Sequence, residues 1–254
     1  MRWLVLGLAL FAGCTATVAR AERAQKDNLI VSLDGGLTPL PLPRDRPAPV
    51  SVHLEGGLQT SDRAPLPRVT RIELGLPSQG VMSTRGLPRC APRLVRDAKP
   101  PEALAACRDA LVGRGKLQAS VALPNQAPFP ARAEVLAFNA RIDGRRAVLL
   151  HAYTANPPTV SVLPLRLRRG SGRFGLSLVG NLTPALGPWP RLRHFDLTLF
   201  RRYSYRGRPH SYLSASCPIP KSLTAGFFSL AKLSFGLGDG RRIGVAIARS
   251  CRAR

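Results

Sequence analysis

The chain has 254 residues, 44% of them hydrophobic, and carries a formal net charge of +24 from 38 Lys and Arg against 14 Asp and Glu. That apolar content excludes a disordered chain, and beyond the first 21 residues no stretch is long and apolar enough for a transmembrane helix. The length suits one large all-β domain or two small ones, with a core that does not depend on disulfides.

Met1 and Arg2 make a short positive start, Trp3 to Ala12 an apolar run, and Ala19-Arg20-Ala21 a small-x-small cleavage site. This is the layout of a secretory signal peptide over residues 1–21, the apolar run being too short to cross a bilayer. The expected location is therefore secreted or extracytoplasmic. Phe11-Ala12-Gly13-Cys14 also resembles a bacterial lipobox, although Phe stands where Leu is usual. By that alternative route Cys14 is lipidated and residues 15–27 become a tether.

Leu29, Val31 and Leu33 alternate with polar neighbours and predict a first strand. Pro39, Pro41, Pro43, Pro47 and Pro49 then mark an extended connector, so residues 22–49 read as strand plus connector and 50–254 as the main β domain. Val50, Val52 and Leu54 alternate with Ser51, His53 and Glu55, and Ile72, Leu74 and Leu76 repeat the pattern. One helix is expected at about 101–112, with Pro101 in its first turn, Leu104, Cys107 and Leu111 on one face, and Gly113 at its end.

Hairpins follow. Leu117 to Leu123 predicts a strand, and Leu136 to Ile142 turns at Asp143-Gly144 and returns through Val148 and Leu150. Asp-Gly suits a tight hairpin because its turn needs positive φ. Leu163, Leu165 and Leu167 face Phe174, Leu176 and Leu178 across Gly170-Ser171-Gly172. Phe195, Leu197 and Leu199 run on to Tyr203 and Tyr205, turn near Gly207 and return to Cys217. Leu233, Phe235 and Leu237 turn at Asp239-Gly240 and return through Ile243, Val245 and Ile247 to Cys251. Roughly a dozen strands joined by tight turns predict an all-β, antiparallel sandwich or jelly-roll-like fold.

Outside the cytoplasm Cys90, Cys107, Cys217 and Cys251 are expected to form two disulfides. Of the three connectivities, the nearest-neighbour one is preferred: Cys90 to Cys107 and Cys217 to Cys251.

Gly170 to Gly175 spells GxGxxG, but strand patterns on both sides make it a hairpin turn rather than a dinucleotide site. His53 with Glu55, and His194 with Asp196, sit two apart on strands and share a face. They read as solvated pairs, with no GxSxG nucleophile motif in the chain, and Ser214 and Ser216 would need the tertiary fold to bring a histidine to them. No metal or cofactor motif is found: no HxH, HExxH, CxxC or calcium-loop spacing.

The best binding candidate is the hairpin from Phe200 to Tyr212, where Arg201, Arg202, Arg206 and Arg208 interleave with Tyr203, Tyr205 and Tyr212. Guanidinium forks and flat aromatic faces suit sugars and anionic polymers. Alternation also sends Tyr203 and Tyr205 to the side of Leu197 and Leu199, which makes them core residues with the arginines in solvent. Only five of the 38 basic residues are Lys, and the arginines are spread along the chain.

The stretches 109–130 (DALVGRGKLQASVALPNQAPFP) and 205–220 (YRGRPHSYLSASCPIP) resemble segments of uncharacterised exported proteins of high-GC bacteria. The resemblance implies an envelope or secreted location and no activity.

The expected function is that of an exported, non-enzymatic structural or binding protein that associates with anionic cell-surface polymer or polysaccharide, without specific nucleic-acid recognition. Two alternatives stand beside it: a secreted hydrolase acting on polysaccharide or ester, with a site that is not visible in the sequence, and a carbohydrate-binding module.

Overall fold

The computed structural model describes residues 21–182 and 189–254; the expected leader with Cys14 falls outside them. Among these residues the alternation of apolar and polar side chains resolves into eighteen strands. The first five are β1 (Glu22–Lys26), β2 (Leu29–Thr38), β3 (Pro41–Leu42), β4 (Ala48–Pro49) and β5 (Ser51–Thr60). After β6 (Val69–Leu76) and β7 (Gly80–Met82) comes α1 (Pro100–Cys107), the one α-helix among the described residues. A run of long strands follows: β8 (Leu111–Val121), β9 (Phe129–Ile142), β10 (Arg145–Ala155), β11 (Pro158–Ser171), β12 (Phe174–Asn181) and β13 (Pro190–Leu199). The chain ends with β14 (Arg202–Tyr205), β15 (Arg208–Ser211), β16 (Leu213–Ala215), β17 (Ala225–Leu237) and β18 (Arg242–Ala253).

Thirteen strands share one sheet in the order β1-β2-β5-β13-β8-β9-β10-β11-β12-β6-β17-β18-β3. Every pairing in it is antiparallel except that of β3 with the end of β18. Two small sheets, β14-β15 and β4-β16-β7, are attached to it. The long sheet curls until β18 lies against β1 and β2. The hydrogen bonding is thus that of one continuous curled sheet, where a sandwich or jelly roll was expected. The cause of the difference is simple: a sheet rolled onto itself and a sheet facing a second one demand the same period-two apolar face.

The concave face holds the main core. Leu29, Val31 and Leu33 of β2 are fully buried, and Leu178, Phe235 and Ile247 from the far end of the strand order are nearly so. Burying each such side chain stabilises by about 1.5–3 kcal/mol. A second, smaller core lies on the convex face, where Leu136, Phe138 and Leu149 of β9 and β10 meet Val95, Ala103 and the Cys90–Cys107 pair. Strands β9 and β10 are therefore apolar on both faces, which explains the unbroken buried run from Val135 to Ala140.

Both disulfides have the expected nearest-neighbour connectivity. The helix is shorter than expected. Pro100 and Pro101 open it, the Glu102 carboxylate accepts the Lys99 backbone N–H at 2.8 Å, and it ends at Cys107. Residues 108–110 form one 3₁₀ turn and Leu111 already begins β8. Gly113 is a strand residue whose missing Cβ lets β13 approach; a Cβ there would stand 2.5 Å from the Thr198 carbonyl oxygen. The Pro-rich connector is tied at two points, through β3 to β18 and through β4 to β16.

Candidate anion-binding surface

Two hairpin tips bring five arginines together around one cleft. The β9–β10 turn is Asp143-Gly144, with φ of 48° and 72°, the paired positive values that a tight two-residue turn requires. The β11–β12 turn passes through Gly172, also at positive φ. Here GxGxxG is a hairpin turn, as its flanking strands predicted. The ladder between β10 and β11 ends at the pair Ala147–Arg166, and beyond it the tips flank a cleft of about 280 Å³. The cleft is lined by Arg141, Arg145, Arg146, Arg168 and Arg169 over a floor that includes Leu167 and Leu176.

The acid balance of this region is lopsided. Asp143 is the only carboxylate between Glu134 and Asp196 in the sequence. Asp143 is taken by Arg166, at 2.7 Å. Arg141 donates to the Gly144 carbonyl at 2.6 Å and Arg146 to the Met82 carbonyl at 3.2 Å. Arg145, Arg168 and Arg169 are exposed and, among the described residues, have no ion pair. Three free guanidinium forks around one cleft can take phosphate, sulfate or carboxylate groups bidentately.

The 200–212 hairpin folds as the separate sheet β14-β15, with Arg206 and Gly207 at positive φ in its turn. Its tyrosines are packing residues. Tyr203 stacks on His210 at 5.6 Å between ring centroids and donates its hydroxyl to the Arg85 carbonyl at 2.8 Å. Tyr205 covers Gly86, where a Cβ would come within 2.2 Å of its ring. Tyr212 is fully buried. Arg202, Arg206 and Arg208 are exposed, Arg206 lying over the Tyr205 ring at 5.3 Å, while Arg201 is half-buried. The hairpin thus turns its aromatic side inward and its cations outward.

This hairpin and the cleft are neighbours. Arg146 lines the cleft and bonds Met82, and the next residue, Ser83, donates its N–H to the Tyr212 carbonyl at 2.9 Å. Arg85, whose carbonyl holds Tyr203, is itself exposed. Sequence reading did not single out Arg141, Arg145 and Arg146. The available signal was the long acid-poor interval around two hairpin turns, which spacing motifs do not register.

Among the described residues neither expected histidine–acid pair, His53 with Glu55 or His194 with Asp196, forms a hydrogen bond or ion pair; one member of each pairs with the other instead. His53 meets Asp196 across adjacent strands, its Nε2 3.1 Å from Asp196 Oδ1. Among the described residues no histidine hydrogen-bonds a serine hydroxyl, the other histidine bond being from the buried His151 ring to the Ala98 carbonyl. Ser214 lines a small apolar cavity with Leu213 and Ala215. Burial of the Tyr212 ring pushes its phenol well above the usual range. Two disulfides fit an oxidising, extracytoplasmic environment, and no helix among the described residues is long and apolar enough to cross a membrane.

Compared with known proteins, the chain matches no family model, no curated protein and no solved structure.

Proposed function

We propose that this is an exported, non-enzymatic binding protein of the cell envelope or extracellular space, which attaches to anionic polymers through the arginine cleft and the neighbouring β14-β15 hairpin. The observation that carries the reading is the set of Arg145, Arg168 and Arg169 around one cleft, without a carboxylate partner among the described residues. A polymer of phosphate, sulfate or uronate groups presents repeated anions to such a surface, and its attraction is screened by salt. The tyrosines act from beneath by fixing the hairpin backbone. On this reading, the leader directs export and the disulfides close once the chain has left the cytoplasm.

The test is retention of the disulfide-intact protein, residues 22–254, on dextran sulfate resin with elution by sodium chloride. The triple variant Arg145→Glu, Arg168→Glu, Arg169→Glu should elute at clearly lower salt than the parent. A control with the same change in net charge, Arg93→Glu, Arg96→Glu, Arg108→Glu, should shift much less. Equal weakening in both would mean diffuse cationic attraction and would overturn the cleft assignment. Release of the native protein from envelopes by salt supports this attachment; release by detergent alone favours a lipid anchor at Cys14.

A further inference from the structure

On the convex face, well separated in strand order from the arginine cleft, three potential metal ligands converge. His53 and Glu55 lie two apart on β5 and share a face, while Leu54 between them turns into the core at 3% exposure. Asp196 on β13 stands directly opposite Glu55. One donor atom from each of the three falls within 4.8 Å of the other two. The His53 and Asp196 side chains are 43% and 44% exposed, so water reaches the cluster.

The charge arrangement is unusual. Glu55 faces Asp196 on one side and Asp34 on the other, which sets three carboxylates in a row across β2, β5 and β13. Like charges directly opposite one another destabilise a sheet. Asp34 is neutralised by Arg249. Asp196 has His53 and, one strand further on, Lys116 opposite it. Glu55 has no hydrogen bond or ion pair among the described residues. In a chain of net charge +24, an acidic residue could readily have been placed beside an arginine; here it stands between two acids and next to an imidazole.

We infer that His53, Glu55 and Asp196 form a binding site for a divalent transition-metal ion, with Zn²⁺ the best fit, leaving at least one coordination position to water. Imidazole nitrogen with two carboxylate oxygens suits Zn²⁺ and disfavours Mg²⁺ and Ca²⁺, which take all-oxygen shells. At metal–ligand distances of about 2.1 Å, His53 Nε2 and Asp196 Oδ1, 3.1 Å apart, subtend roughly 95° at one ion, and the Glu55 carboxylate, within 4.8 Å of both, swings in to complete the set. The bound cation relieves the repulsion between Glu55 and Asp196. The four cysteines among the described residues are closed in disulfides and offer no competing thiolate.

The experiment is calorimetric titration of ZnCl₂ into untagged, EDTA-treated, disulfide-intact protein in a non-coordinating buffer. One equivalent should bind, and His53→Ala and Glu55→Gln should each weaken the affinity at least tenfold. His194→Ala, two residues from Asp196 on the same strand, should leave it within twofold. Since a variant could fail to fold, the wild-type imidazole resonances are followed by NMR in parallel: only the His53 ring should shift on Zn²⁺ addition. Absence of stoichiometric binding, unchanged affinity in folded His53→Ala, or a shift confined to another histidine overturns the assignment.

Discussion

Arg249 of β18 donates from Nη2 to the Asp34 carboxylate and from Nε to the Gly35 carbonyl at 2.8 Å, and so clasps the last long strand to β2. The two strands are ten pairings apart in the sheet order yet touch, because the sheet has rolled up between them. Glu22 of β1 stands 4.0 Å from the same guanidinium. The side chains are well shielded, at 15% exposure for Arg249 and 24% for Asp34. Removing one partner leaves a half-buried charge without its counter-ion.

Arg249→Ala is therefore expected to destabilise by about 1–3 kcal/mol, between the values for exposed and buried pairs. Urea denaturation measures the loss. Hydrogen exchange should show it concentrated in β1, β2 and β18, the edges that the clasp joins.

The Cys217–Cys251 bridge encloses 34 residues of sequence separation and ties β18 to the segment after β16. Both cysteines are buried, at 0% and 2% exposure. Loop-closure entropy for that length puts the cost of Cys217→Ser with Cys251→Ser at about 2–4 kcal/mol. The double variant should unfold at lower urea concentration. Cys90→Ser with Cys107→Ser should loosen α1 from β9, seen as faster exchange of the helix amides.

Tyr212 carries a buried hydroxyl with no hydrogen-bond partner among the described residues, and burial holds its phenol protonated to unusually high pH. In the unfolded chain the same group ionises near pH 10. Above that pH the unfolded state loses a proton that the folded state keeps, so stability falls as pH rises, by about 1.4 kcal/mol per pH unit from this group. Tyr212→Phe should remove that alkaline loss and leave stability at pH 7 unchanged or slightly higher. Denaturation curves at pH 7 and pH 11 check both statements.

Tyr203 separates support from contact within the β14-β15 hairpin. Tyr203→Phe removes the bond to the Arg85 carbonyl and should cost about 1 kcal/mol of stability. Its elution from dextran sulfate should stay near that of the parent. Arg206→Glu with Arg208→Glu should do the reverse, lowering the eluting salt while the thermal midpoint hardly moves. Strong loss of retention in a folded Tyr203→Phe variant would assign the tyrosine to the contact itself.

Local chemistry in the chain determined the elements: alternation marked β2, β5, β6 and the later hairpins, Asp143-Gly144 and Asp239-Gly240 marked their turns, and cysteine spacing marked both bridges. Each of these signals acts over a few residues or through a short loop, so it survives in one dimension. Gly113 was misread for the complementary reason. A glycine that ends a helix and one that lets a neighbouring strand approach look alike until Thr198 is placed beside it. Tertiary structure alone decided the curl, the Arg249–Asp34 clasp, the arginine cleft between two hairpin tips and the meeting of His53 with Asp196, 143 residues away. These depend on strand order, and a period-two pattern records which way a side chain faces without recording which strand it will face.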